Sequence, residues 1–153
     1  MKKLLAALVF LHLSITGFAQ DSNLRIKHFN LENNLAIQGY DPVAYFSQKK
    51  AVIGKKEITA AFEGIVYNFS SAPNKNIFLK NPAVYEPQFG GWCAFAMGDT
   101  GKKVAVDPET FKIINGKLFL FYNAFFNNTL KSWNKEEDNV KKKAESNWSK
   151  IYN

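Results

Sequence analysis

The alternation of apolar and polar residues predicts two β-hairpins in this chain. Within residues 58–69 and 111–122, two short strand-like stretches flank a two-residue turn. The turn pairs are Glu63-Gly64 and Asn115-Gly116, and Asn-Gly is the strongest short hairpin signal because both residues tolerate positive φ angles. The predicted strands cover residues 58–62, 65–69, 111–114 and 117–122.

Apolar residues spaced three and four positions apart predict a helix at the C-terminal end. The apolar stripe consists of Leu130, Trp133, Val140, Ala144, Trp148 and Ile151. Such a stripe is typical of an amphipathic helix. On the opposite side, Glu137/Lys141 and Asp138/Lys142 have the spacing of i,i+4 ion pairs. We expect this helix to pack across the sheet through Trp133 and Trp148.

Proline residues indicate where short helices begin. Asp41, Asn81 and Asp107 each directly precede a proline, and Ser71 lies two residues before Pro73. A side-chain oxygen before the first turn accepts hydrogen bonds from free N–H groups, and proline in that turn costs the helix no hydrogen bond. We interpret Asp41 and Asp107 as helix caps rather than catalytic acids. The predicted helix starts lie near residues 42, 72, 82 and 108.

Hairpins separated by short helices indicate an α+β domain built on a small antiparallel sheet. Residues 20–34 are polar and are expected to form an irregular segment that leads into the domain over residues 35–152. This length suits a single domain. The aromatic content of 14 Phe, 6 Tyr and 3 Trp supplies enough apolar surface for a core.

The N-terminal segment has the pattern of a secretory signal peptide over residues 1–19. Two lysines, an apolar run over residues 4–13 and small residues at positions 17 and 19 precede Gln20. That order of charged, apolar and small residues predicts cleavage before Gln20. The apolar run is shorter than the ~20 residues of a membrane span. We therefore expect export to the periplasm or the medium without a transmembrane segment; the alternative is an N-terminal core helix.

Charge and motif content narrow the classes of function. The formal net charge is +7 at pH 7. A basic balance suits nucleic acids or anionic surfaces, but an exported chain seldom meets nucleic acid, so we predict no nucleic-acid partner. The sequence contains no HExxH, CxxC, GxSxG or phosphate-binding glycine loop. These absences favour a non-enzymatic role.

Several segments resemble the YHS domain, and two of them are similar to its exported bacterial branch. The general segments are GYDPVAYF at 39–46, GIVYNFSS at 64–71 and FLKNPAVY at 78–85. The branch-specific segments are PQFGGWCA at 87–94 and GKLFLFYN at 116–123. The resemblance covers about residues 35–150. It implies a treble-clef-like α+β core and a role often linked to heavy metals, without an established enzymatic activity.

The chain departs from the metal-binding relatives that the resemblance suggests. Those relatives carry cysteines in a D-P-V-C segment and in a Y-F-C-S-x-x-C segment. Here the first segment ends in Ala44, and residues 67–74 contain no thiol. The usual thiolate cage is therefore missing, and a metal site in this chain must be built differently.

Cys93, the only cysteine, is the first candidate for metal chemistry. If residues 92–98 are helical, Cys93 and Met97 share a face with Cβ atoms about 5–6 Å apart. Thiolate and thioether ligands suit Cu(I), so we hypothesise a copper site with Cys93 and Met97, and with His28 or a tyrosine as third ligand. The alternative is that both sulfur residues belong to the core.

Aromatic residues within the YHS-like segments are the second candidate, for a ligand pocket. The pocket candidates are Tyr40, Tyr45, Tyr67, Tyr85 and Trp92. They could enclose a small ligand that the hydroxyl groups orient, or they could form an aromatic core. The leading hypothesis is thus an exported binding module for a soft metal such as copper. The second is a structural or small-molecule-binding domain without metal. The oligomeric state stays open.

Overall fold

The computed structural model describes residues 16–152 and confirms the α+β class. The helices are α1 (Thr16–His28), α2 (Ala44–Ser47), α3 (Ala72–Lys80), α4 (Pro82–Tyr85), α5 (Ala94–Asp99), α6 (Thr129–Trp133) and α7 (Glu137–Tyr152). The strands are β1 (Leu31–Glu32), β2 (Leu35–Ala36), β3 (Lys55–Phe62), β4 (Ile65–Phe69), β5 (Asp107–Ile114), β6 (Lys117–Phe121), β7 (Asn123–Ala124) and β8 (Asn127–Asn128). The signal-peptide prediction falls mainly on residues 1–15, outside the described residues.

Both predicted hairpins are present. Strands β3 and β4 pair antiparallel on either side of Glu63-Gly64, and β5 and β6 pair antiparallel on either side of Asn115-Gly116. All four turn residues have positive φ angles, as a type I′ turn requires. The first hairpin belongs to a four-stranded sheet with the order β1-β2-β4-β3, in which β2 runs parallel to β4. The β5–β6 and β7–β8 pairs are separate two-stranded sheets.

The segment 20–34 is ordered, contrary to the expectation of an irregular lead-in. Helix α1 continues to His28, and β1 begins at Leu31. Tertiary contacts explain the difference, because the guanidinium of Arg25 is buried on the aromatic rings of Phe29 and Phe62, 4.6 and 5.2 Å from their centroids. Local composition gave no sign of this anchoring.

The proline-based helix starts are correct for α3 and α4. The side chain of Ser71 caps α3 by accepting a hydrogen bond from Asn74 N, whereas Asn81 precedes α4 without a capping side-chain bond. Near residue 42 the chain first makes a turn, and α2 begins at Ala44.

The helix predicted near residue 108 is wrong, because Asp107 begins strand β5. Its carboxylate accepts hydrogen bonds from Glu109 N and from the Thr110 hydroxyl. These bonds stabilise a local turn at an irregularity in the β5–β6 register, between Asp107 and Phe111. Asp107 therefore stabilises a turn within a strand. A helix cap would look the same in the sequence, because in both structures the side chain accepts hydrogen bonds from residues two and three positions later.

The predicted C-terminal helix is broken into α6 and α7 around residues 134–136. Trp133 packs on β6 as expected, with its ring 5.6 Å from Phe119 and 5.4 Å from Phe121. Trp148 packs against Phe29 and Tyr152 and against the same apolar cluster as Trp133. Helix α7 lies closely on α5, where a Cβ atom on Gly98 would come within 2.3 Å of Val140 O. Glycine at position 98 thus permits the contact of the two helices.

The core consists of two apolar clusters. The first cluster surrounds the four-stranded sheet and contains Tyr45, Tyr67, Phe69, Phe78 and Cys93, among others. The second lies between β6, α5, α6 and α7, and it contains Phe89, Met97, Phe119, Phe121 and Trp133, among others. Cys93 and Met97, although four residues apart, belong to different clusters.

Asp41 is a fully buried carboxylate that joins three segments of the chain. Its Oδ1 accepts hydrogen bonds from Val43 N and Ala44 N, at 2.9 and 3.3 Å, at the start of α2. Its Oδ2 accepts bonds from Ser70 N, the Ser70 hydroxyl and Asn74 Nδ2, at 2.8, 2.6 and 2.7 Å. Asp41 therefore stabilises the turn that leads into α2, whose own cap residue, Val43, makes no side-chain hydrogen bond. The same carboxylate also connects the end of β4 to α3.

We predict that Asp41→Asn lowers the free energy of unfolding by about 2–4 kcal/mol. The asparagine side chain has one oxygen to accept these hydrogen bonds, and its NH2 group would face the N–H and O–H groups that now bind the second carboxylate oxygen. Asp107→Asn is the matched control, since that carboxylate is partly exposed, and it should cost about 1 kcal/mol or less. Urea denaturation of both variants measures the difference. Equal losses would contradict a special role for Asp41.

Candidate binding site beside Cys93

Cys93 lies between a glycine-containing turn and helix α5. The backbone of residues 89–91 has positive φ angles throughout, which directs the chain into the first turn of α5. Cys93 N donates a hydrogen bond to Val104 O at 2.9 Å, and Cys93 O accepts one from Met97 N at 3.0 Å. The backbone at Cys93 is therefore fixed on both sides, and the residue has no exposed surface.

The sulfur atom of Cys93 is part of a closed ring of hydrogen bonds. Its Sγ accepts a bond from Tyr122 N at 3.3 Å and lies 3.3 Å from Thr129 Oγ1. The Thr129 hydroxyl donates its proton to Tyr122 O at 2.9 Å. With the hydroxyl proton directed at Tyr122 O, the thiol is the donor toward Thr129 Oγ1, although the positions of the two atoms allow either one to donate. The sulfur therefore has two polar neighbours within the protein, a backbone amide and a hydroxyl group.

A cavity of about 340 Å³ lies next to this ring of hydrogen bonds. Its walls combine apolar and polar side chains and come from α5, the loop before β5 and the β7–β8 hairpin. The lining residues are Cys93, Phe95, Ala96, Asp99, Thr100, Val104, Tyr122, Asn127 and Thr129. The cavity is thus an apolar recess with several polar groups, as in many small-ligand sites.

A second cavity, of about 420 Å³, lies where α1, α4 and α7 meet. Trp148 and Tyr152 stack at 5.4 Å with an interplanar angle of 11° on one side of it, and Phe29 contacts both rings. Lys117 and Glu145 add opposite charges to its lining. Its lining includes none of the residues predicted to bind a metal or to form the aromatic pocket.

Met97 and His28 do not join Cys93 in the smaller cavity. Met97 is buried in the second cluster, and neither Met97 nor His28 lines the cavity. His28 Nδ1 lies 3.0 Å from Lys103 Nζ. Burial, together with the charges of Lys103 and Lys27, lowers the pKa of His28. Among residues 16–152, no three His, Cys, Asp and Glu side chains are grouped so that they could hold a metal ion.

The predicted aromatic pocket residues are distributed through the core and its edge. The hydroxyl of Tyr45 donates to Pro108 O at 2.8 Å, and burial raises the pKa of Tyr45. Tyr40 donates to Glu109 at 3.0 Å, Tyr85 packs edge-on against Phe46, and Trp92 Nε1 donates to His28 O at 2.7 Å. None of the five lines the two cavities described above.

Tyr67, the fifth of these aromatics, belongs to a buried polar network that the sequence analysis missed. Glu86 accepts hydrogen bonds from the Tyr67 hydroxyl and from Arg25 Nη2, and Arg25 Nε lies 3.2 Å from Glu63 Oε2. Burial and the neighbouring Glu86 carboxylate raise the pKa of Tyr67. Because Arg25 follows the predicted cleavage site, the network would remain complete in the processed chain.

Thr129 is a neighbour of Cys93 that no pattern in the sequence indicated. The two residues are 36 positions apart, and Thr129 follows an asparagine that caps α6. Its sequence context therefore signals only a helix start. The cap at Asn128 could be predicted from the neighbouring residues. The contact between Thr129 and the thiol could not, because it depends on how the β7–β8 hairpin folds back.

Comparisons with protein-family models, with curated proteins and with solved structures found no match for this chain. Within residues 16–152, no helix combines the length and the apolar character needed to cross a membrane.

We predict that Cys93 in the folded protein reacts with a maleimide or disulfide reagent at least about 100-fold more slowly than in the unfolded protein, because the thiol is buried and hydrogen-bonded. A time course of labelling, with and without denaturant, measures the ratio. Rapid labelling of the native protein would contradict the closed arrangement. It would favour an accessible ligand sulfur instead.

Proposed function

We propose that this chain is an exported, non-enzymatic binding module of the YHS type that holds a small organic ligand in the cavity beside Cys93. The observation that carries the proposal is a recess lined by both apolar and polar side chains, with a hydrogen-bonded thiol at its wall. Because the sulfur of Cys93 contacts both Tyr122 N and Thr129 Oγ1, Cys93 positions these two residues at the cavity. The cavity then supplies the binding surface.

The side chains around the cavity suggest the chemistry of the ligand. Phe95, Ala96 and Val104 offer an apolar wall, while Asp99 and Asn127 bring polar groups to the same recess. A volume of about 340 Å³ is near the lower end of the ~300–1,000 Å³ that small-molecule sites span. A small, largely apolar molecule with a hydrogen-bond donor fits these groups best, because carboxylate and amide oxygens accept hydrogen bonds.

The same geometry gives less support to the soft-metal hypothesis. A Cu(I) site needs a deprotonated sulfur with a second soft ligand nearby. Here the Cys93 sulfur already contacts Tyr122 N and Thr129 Oγ1, and Met97 packs in the other cluster. The resemblance to the YHS domain therefore supports the fold type and an exported binding role more than it supports copper.

Filling the cavity should abolish ligand binding. We predict that indole, used as a probe, shifts the amide NMR signals of Val104, Tyr122 and Asn127 in the wild type, and that Ala96→Phe removes these shifts because the new ring occupies the recess. Ala105→Phe is the matched control at an exposed position and should bind indole like the wild type. Circular dichroism establishes that each variant is folded.

The result that would overturn the cavity proposal is equally specific. Either the wild type shows no shifts around the cavity, or Ala96→Phe retains the wild-type shifts while remaining folded. Shifts confined to the signals of Trp148 and Tyr152 would locate binding in the larger cavity instead.

A copper titration separates the two hypotheses of function. We predict that the wild type and Cys93→Ser bind Cu(I) with equal affinity in competition with a chelator, because serine keeps the hydrogen-bonding role and the thiol makes no metal site. Tighter binding by the wild type, by about tenfold or more, would contradict the prediction. It would restore the copper hypothesis.

A further inference from the structure

The described part of the chain contains four hairpins with two-residue turns, and one of them has an unusual sequence. The turn residues are Asn33-Asn34, Glu63-Gly64, Asn115-Gly116 and Phe125-Phe126. All eight have positive φ angles. Two turns consist only of asparagine and glycine, the residues that tolerate this conformation, and a third pairs Glu63 with a glycine. The β7–β8 turn instead places two bulky aromatic residues there, with φ angles of 50° and 63°.

Packing within the chain does not explain this choice. Phe125 is 91% exposed and Phe126 is 112% exposed, and neither belongs to the two apolar clusters. A strained backbone that carries exposed apolar rings is unfavourable for folding on both counts. Strained residues of this kind cluster at functional surfaces, where the side chains are needed outside the fold.

The geometry points to a lipid bilayer as the surface that these rings contact: we propose that the Phe125-Phe126 tip inserts into the headgroup region of an anionic membrane. This proposal goes beyond the cavity function and does not depend on it. The two rings project from the end of a narrow hairpin, so they can enter the interface without the rest of the domain being buried. Amphipathic interfacial anchors place large apolar side chains there.

Charge complementarity favours an anionic surface. The net charge of +7 for the full chain becomes +5 when Lys2 and Lys3 are removed with the predicted signal peptide, and no Asp or Glu occurs between Thr110 and Lys135. Lys131 and Lys135 are exposed shortly after the hairpin, where they can contact anionic headgroups. Two acidic residues lie near the strands of the hairpin: Asp107 accepts a hydrogen bond from Asn123 at its base, and Asp99 lines the same cavity as Asn127.

The area of the tip disfavours a protein partner or a second copy of the chain. Two phenylalanine side chains offer together about 300–500 Å², whereas a standard protein interface buries about 800 Å² on each partner. Asn123, Asn127 and Asn128 flank the rings on the same hairpin and do not extend the apolar surface. A bilayer needs no matching pocket.

The test compares the full-length wild type with the double variant Phe125→Asn/Phe126→Gly. The variant installs the preferred turn sequence, so its thermal midpoint should rise, which also establishes that it is folded. Its binding to vesicles of phosphatidylglycerol and phosphatidylcholine should fall on the order of tenfold or more. Binding of the wild type to vesicles of phosphatidylcholine alone should be weaker than to the anionic vesicles.

A local readout separates the tip from the apolar run at residues 4–13, which is present in both proteins. Ala124→Cys, labelled with a polarity-sensitive fluorophore, should show a blue shift on anionic vesicles with the wild-type turn and none with the Asn-Gly turn. Cys93 is buried, so the label reports position 124. Equal vesicle binding by both proteins together with an unshifted label overturns the proposal. Concentration-dependent dimerisation that only the wild-type turn supports, without vesicle binding, also overturns it and assigns the tip to self-association.

Discussion

The buried carboxylate of Asp41 is the constraint on which the arrangement of the N-terminal half depends. Five donors from the start of α2, the end of β4 and the first turn of α3 converge on its two oxygens. A charge without exposed surface is tolerated only when such bonds replace its water. The α2 segment, the sheet and α3 therefore cannot move independently, and the aromatic side chains between them pack in one arrangement.

A second buried charge fixes the N-terminal helix to the same sheet. Arg25 connects α1 to Glu86 and, through it, to Tyr67 on β4. Breaking a pair of this kind leaves an uncompensated charge in the interior. The turn that follows Glu86 leads directly to Cys93, so α1, the sheet and the first residues of the candidate site are parts of one connected structure. The cavity beside Cys93 is formed on this scaffold rather than on a free loop.

Local signals predicted the elements that local chemistry determines. Glu63-Gly64 and Asn115-Gly116 indicated both main hairpins, and Ser71 and Asn81 indicated the starts of α3 and α4, because turns and helix starts depend on neighbours within a few residues. Asp107 failed for the same reason: its bonds to Glu109 and Thr110 satisfy the side chain in a strand as well as they would in a helix. The Arg25–Glu86 pair spans 61 residues and leaves no local pattern.

The same distinction between local and long-range contacts applies to the candidate site. Cys93 could be selected as the single thiol, but its spacing to Met97 suggested a shared face, whereas α5 begins only at Ala94 and the two sulfur residues enter different clusters. What surrounds the thiol is set by Tyr122 N and Thr129 Oγ1, each 3.3 Å from the sulfur. A sulfur with these two polar neighbours and with Met97 in another cluster lacks the second soft donor that a soft metal prefers. Tyr122 and Thr129 lie 29 and 36 residues after Cys93 along the chain, so no pattern in the residues next to Cys93 could indicate these contacts.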